Sequence, residues 1–277
     1  LKRIIKQKYL KNGQAAEYLR KFRQPAPYML TAEGTRIKKY GESTIETFGE
    51  EGKGQDRKNY IETKLAKIAS EYCGPIKNGL VVTGPNIGKH IEVYLHSDII
   101  KTMHIPEINP YTYLKLHHSA TQYPEFWNND ICLHCASAQS FKVDDCNLVD
   151  MDLMKTFSQI DRPVKSWLRF QSSSVDGKKA FAITAGIRKD GGPITRFNKL
   201  NKTFKILDAE LESVDGVKGQ FPFAKTHGKE IPHLKGGTAR YCYEREFKFS
   251  NKGRIDRVVA YSYADGSPML CVLILYK

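Results

Sequence analysis

Two aspartates one residue apart, Asp150-Met151-Asp152, lie inside the apolar stretch NLVDMDLM. On a strand, residues two apart share a face. Two carboxylates held side by side can bind a divalent ion against phosphate. A second candidate is the C-x-x-C pair Cys132 and Cys135, with Cys146, His117, His118 and His134 close in sequence. Zinc takes four nitrogen or sulfur ligands in a tetrahedron, and a C-x-x-C turn supplies two of them. Residues 131–141 alternate as a strand does, however. That places Cys132 and His134 on one face and Leu133 and Cys135 on the other, against joint ligation.

Three further patterns carry chemistry. Gly84-Pro85-Asn86-Ile87-Gly88-Lys89-His90 is one residue short of a phosphate-binding loop and lacks the hydroxyl that would meet magnesium, so residues 79–97 read as two strands joined by a turn. His96-Ser97-Asp98, with His233 and Arg240 far downstream, matches the H-x-D of iron oxygenases. Downstream of the paired aspartates comes Ser172-Ser173-Ser174-Val175-Asp176-Gly177-Lys178-Lys179. Paired acids followed by a serine-rich turn resemble the archaeo-eukaryotic primase superfamily over about 40 residues. That resemblance implies a metal-dependent nucleotidyltransferase using Asp150 and Asp152, with Asp208 in the place of a third acid. The histidine expected after the serines is missing, Ala180 and Phe181 standing there.

These residues need a frame. Ile61, Leu65, Ile68 and Tyr72 recur at helical spacing, which predicts a helix over 59–72 that Gly74-Pro75 ends. From about residue 79 the period turns to two, and strands are expected at 79–83, 90–97, 111–119, 131–141, 164–174, 179–188, 203–213, 238–250, 255–263 and 268–276. Four Asp-Gly pairs, at 176, 190, 215 and 265, suit the positive φ of tight hairpins. Pro268–Tyr276 (PMLCVLILY) is apolar on both faces and belongs inside a sheet. The expected architecture is mainly β: an antiparallel β-sandwich of jelly-roll type over 73–277, preceded by a basic, partly helical N-terminal segment with a polar loop over 1–72.

Charge narrows the partners. The 277 residues carry a formal net charge of +14. Lys2, Arg3, Lys6, Lys8, Lys11, Arg20, Lys21 and Arg23 stand against Glu17 alone in the first 23 residues. Such a segment suits sequence-independent contact with nucleic-acid phosphates. A hydrophobic content of 40% excludes a disordered chain, and no run of about 18 apolar residues reads as a transmembrane helix, so no membrane partner is expected. Six irregularly spaced cysteines give no disulfide framework. The chain opens on Leu1, and further residues are expected upstream.

The closing segment EREFKFSNKGRIDRVVAYSYADGSPMLCVLILYK resembles the last strands of jelly-roll capsid proteins from small viruses of eukaryotes. The resemblance implies a non-enzymatic structural protein that assembles with copies of itself into a shell and packages a DNA or RNA genome through its basic arm. It would reside in the virion and, during assembly, inside the host cell. No catalytic residue, cofactor or resident metal is assigned on this reading. The primase-like nucleotidyltransferase and a nucleic-acid-binding module that does not assemble are the alternatives.

Overall fold

A run of strands that are apolar on both faces must be covered on both faces, and helices do the covering here. The computed structural model describes residues 28–30, 36–38, 55–83, 87–174, 176–186, 193–212, 228–231, 240–245, 247–265 and 268–277. Two short strands, β1 (Tyr28–Leu30) and β2 (Arg36–Lys38), pair with each other. A long helix, α1 (Gln55–Cys73), then leads into β3 (Ile76–Val82). Gly74 ends α1 at φ +76°, its N–H donating to Ser70 O over 2.9 Å.

The chain continues through α2 (Gly88–His90), which widens into a π-helical turn over Ile91–Leu95. Next come β4 (Ile100–Pro106), α3 (Pro110–Ala120), α4 (Pro124–Trp127), β5 (Ile131–His134), β6 (Cys146–Thr156), α5 (Phe157–Ser174) and β7 (Lys179–Gly186). The remaining elements are α6 (Pro193–Phe204), β8 (Glu210–Leu211), β9 (Gly228–Glu230), β10 (Arg240–Arg245), β11 (Phe249–Asn251), β12 (Ile255–Asp265) and β13 (Pro268–Tyr276).

Nine strands form one sheet in the order β5-β4-β3-β6-β7-β13-β12-β10-β9. The five from β5 to β7 pair in parallel, and from β13 onward every pair is antiparallel. Alternation along each strand feeds two cores. In β7, Ala180 and Ala182 face one and Phe181 and Ile183 the other. In β13, Cys271, Leu273 and Leu275 separate from Leu270, Val272 and Ile274 in the same way. The first core takes Ile61, Leu65 and Ala69 of α1, and Tyr113 and Leu116 of α3. The second takes Val164, Trp167 and Leu168 of α5, and Leu200 and Phe204 of α6. This is a three-layer α/β/α arrangement.

The antiparallel jelly-roll sandwich is therefore overturned, and with it the resemblance to capsid proteins that rested on it. Parallel neighbours need long crossovers, and three of the expected strands are those crossovers. Residues 90–95 are helical and 96–97 a turn, 111–119 lie in α3, and 164–174 lie in α5. Asn109 caps α3, its side chain accepting the Tyr111 N–H at 3.0 Å, and Pro110 takes the first helical position. In α5, Val164, Trp167, Leu168 and Gln171 recur at helical spacing and are buried, although Pro163 sits inside the helix. β12 and β13 pair antiparallel on either side of Asp265-Gly266, with Gly266 itself outside the described residues. Asp176-Gly177 instead links α5 to β7, and the pairs at 190 and 215 lie outside the described residues.

Candidate functional site

Strand order reverses between β3 and β6: β4 and β5 extend from one side, β6 and β7 from the other. In an open α/β sheet such a switch leaves a crevice outside the carboxyl ends of the two strands. Among the described residues, Thr83, His90, Asp150 and Asp152 are polar and buried near that edge.

Alternation along β6 turns Leu148, Asp150 and Asp152 toward the α1 layer, and Val149 and Met151 toward α5. Asp150 and Asp152 are each 4% exposed. Burying two carboxylates is costly unless each finds a partner. For Asp150 the partner is Tyr94, from the π-helical turn, whose hydroxyl donates to Oδ2 over 2.7 Å. Asp152 meets Lys58 of α1, whose ammonium also lies 3.4 Å from Glu62 Oε1 one helical turn further on. His90, at the end of α2, places its Nδ1 3.1 Å from the Thr83 hydroxyl just past β3. The floor beneath Asp152 continues through its register partner Thr184 to Cys271, with Thr184 Oγ1 and Cys271 Sγ 3.0 Å apart.

The electrostatics follow from burial. Loss of solvent pushes the Asp150 carboxyl up to about 7, against the pull of the Tyr94 hydrogen bond. Burial alone would lower Lys58, but the Asp152 and Glu62 carboxylates overcome it and hold the ammonium well above its ordinary range. Burial raises the Tyr94 phenol too, with the Asp150 charge adding to it.

At the carboxyl end of β4 stands Glu107. Its Oε1 accepts the Asn109 N–H at 2.5 Å, so the acid is fixed by the residue that caps α3.

Of the residues singled out in sequence, Asp150 and Asp152 do share a face and the same buried site. The serines expected beside them do not join. Helix α5 begins past the carboxyl end of β6 and returns to the start of β7, so Ser172–Ser174 sit at the opposite edge of the sheet. Ser172 O there accepts a hydrogen bond from Arg254 at 3.2 Å. The primase-like nucleotidyltransferase loses its second element on this ground.

The zinc set is not assembled. Among the described residues, one group brings three possible ligand atoms within 4.8 Å of one another, and it is Glu62, His90 and Asp152. Cys146 is buried and donates to Leu148 O at 3.1 Å, while Cys132 donates to Asn129 O at 3.6 Å. His96 pairs with Glu125 at 2.7 Å, and Asp98 turns the chain at φ +54°, so H-x-D is a loop feature. His233, the side chain of Arg240 and residues 84–86 lie outside the described residues, as do Lys2, Arg3, Lys6, Lys8, Lys11, Arg20, Lys21 and Arg23.

Sequence reasoning missed Lys58, Glu62, His90 and Tyr94. A signal existed for the first two. Positions 58, 62, 65 and 69 share a helix face, and on α1 that face is the apolar one. Charges on an apolar stripe mark a buried polar site.

The non-enzymatic reading is corrected with the fold. A shell of jelly rolls has no basis in a doubly wound sheet, and neither a self-assembling partner nor a packaged genome finds support. The nucleic-acid-binding module, argued from charge alone, gains none either.

No protein-family model matches the chain, and no curated protein sequence does. Solved structures of similar fold are found at low identity. One is spermidine synthase from Thermotoga maritima, at 9% identity and a TM-score of 0.43, covering 80% of this chain but 60% of that one. A second is the N-methyltransferase NodS from Bradyrhizobium japonicum WM9 in complex with S-adenosyl-l-homocysteine, at 10% identity and a TM-score of 0.44, covering 84% of this chain and 97% of that one. A third is P. horikoshii TYW2 in complex with MeSAdo, at 11% identity and a TM-score of 0.44, covering 88% and 69%.

Proposed function

We propose that this chain is an enzyme that binds a nucleoside cofactor without phosphate, S-adenosylmethionine, at the carboxyl ends of β3, β4 and β6, and transfers a group from it. The observation that carries this reading is the reversal of strand order between β3 and β6 above buried charged side chains. Ligands of doubly wound sheets sit at such a reversal.

Two details support a nucleoside. Five residues separate the end of β3 from the start of α2, the strand-to-helix spacing of a nucleotide-binding unit. An acid about 20 residues beyond such a loop, at the end of the next strand, is placed to accept from ribose hydroxyls. Glu107 holds that position after Gly88.

Two details disfavour a pyrophosphate. The loop reads G-P-N-I-G and lacks the third-position glycine that lets backbone approach phosphate closely. The helix after it keeps α geometry for three residues only. A pyrophosphate wants a longer aligned helix dipole and open N–H groups. S-adenosylmethionine is a nucleoside cofactor that has no phosphate.

Equilibrium dialysis against S-adenosylmethionine, NAD and ATP with magnesium tests the reading. S-adenosylmethionine is expected to bind at least about tenfold more tightly than the other two, and Glu107→Gln to weaken it by about tenfold, the loss of one charge-assisted hydrogen bond. Preference for NAD or ATP, or no effect of Glu107→Gln, overturns it.

A further inference from the structure

We infer that Glu62, His90 and Asp152 form a binding site for a divalent first-row metal ion, held by one residue each from α1, α2 and β6, and that the Lys58 ammonium is its built-in competitor. The inference rests on side-chain placement and is independent of the nucleoside reading.

The three possible ligand atoms lie within 4.8 Å of one another, and all three residues are buried. Ligands around such an ion stand about 3.4 Å apart when each is about 2.1 Å from it. Small side-chain rotations close that difference. The His90 ring is held by Thr83 through Nδ1, the kind of outer contact that orients a ligating imidazole.

A second observation points to a cation. Asp152 is 4% exposed, and its Oδ1 makes no hydrogen bond. Lys58 reaches the same carboxylate and lies 3.4 Å from Glu62, so a positive charge is already drawn to the point where the three residues converge. Lys58 supplies one positive charge against the two carboxylates of Asp152 and Glu62. Two carboxylates and one imidazole suit Mn2+ or Zn2+ rather than Ca2+, which takes six to eight oxygens.

Titration of the purified chain with Mn2+, followed by loss of the free-ion electron paramagnetic resonance signal and with no nucleoside present, decides the matter. One Mn2+ per chain, displaced by Zn2+, is expected. Glu62→Gln and Asp152→Asn, both close in shape to the native residues, are expected to weaken it at least tenfold. Lys58→Met is expected to tighten it at least tenfold, because the competing cation is gone. Thermal unfolding with and without Mn2+ provides a second readout: the native chain and Lys58→Met gain stability, and Glu62→Gln does not. No Mn2+ binding by either the native chain or Lys58→Met overturns the inference. So does equal binding by the native chain, Glu62→Gln and Asp152→Asn.

Discussion

The Tyr94 hydroxyl donates to Asp150 Oδ2 over 2.7 Å, and this bond ties the π-helical turn after β3 to the neighbouring strand β6. Both residues are buried, so the bond is made where water cannot replace it. Tyr94→Phe removes the donor and keeps the ring. The expected cost is about 2 kcal/mol, in the range for a hydrogen bond to an ionisable partner. Urea unfolding of the two chains measures it. A midpoint unchanged from the native chain would show that the bond adds no net stability.

Gln171 performs a comparable task on the other face. Its Nε2 donates to Cys146 O at 2.9 Å, and its Oε1 accepts from the Tyr276 hydroxyl at 2.6 Å. One side chain of α5 thus holds both the start of β6 and the end of β13. Gln171→Leu fits the volume but leaves a carbonyl and a phenol unsatisfied in the core. A loss of about 2–4 kcal/mol is expected, and Tyr276→Phe added to it should recover part of that. Chemical denaturation of the single and double variants provides the measurement.

Gly79 in β3 shows how closely β3 and β4 approach. A Cβ there would stand 2.3 Å from Ile100 Cδ1 and 3.2 Å from its Cγ2. Gly79→Ala is expected to cost about 1–3 kcal/mol through overpacking. Ile100→Val deletes the Cδ1 atom, so the pair should be less unstable than the sum of the two singles. A double-mutant cycle by thermal unfolding reads the coupling, and strict additivity would contradict the contact.

His104 and His134 stack at the edge of the sheet, with Nδ1 and Nε2 3.2 Å apart. Burial, then the neighbouring His104, pushes His134 down to about 3, and burial lowers His104 as well. A histidine depressed on folding stabilises the folded state fully above its unfolded value of about 6.5 and loses that contribution as pH falls toward 3. Between pH 7.5 and 5, His134 alone is expected to account for about 2 kcal/mol of lost stability. The comparison is the slope of unfolding free energy against pH for the native chain and His134→Gln. Equal slopes would remove the pair as the cause.

The sequence alone carried the last strand, the helix before β3 and the pairing of two aspartates on one face. Each is a local statement. Pro268–Tyr276 is apolar throughout and lies inside the sheet between β7 and β12; Ile61, Leu65 and Ile68 recur at helical spacing; Asp150 and Asp152 obey the two-residue period of a strand. The tertiary structure decided the rest. Aromatic and β-branched residues in 111–119 and 164–174 favour strands intrinsically, yet those segments are helices, because parallel neighbours such as β6 and β7 need a crossover and the sheet needs covering on both faces. The site was hidden for the same reason. Lys58 and Glu62 stood out only as charges on an apolar helix face, and all four of Lys58, Glu62, His90 and Tyr94 meet Asp150 and Asp152 only after the sheet has formed, so no spacing in the chain links them to the aspartates.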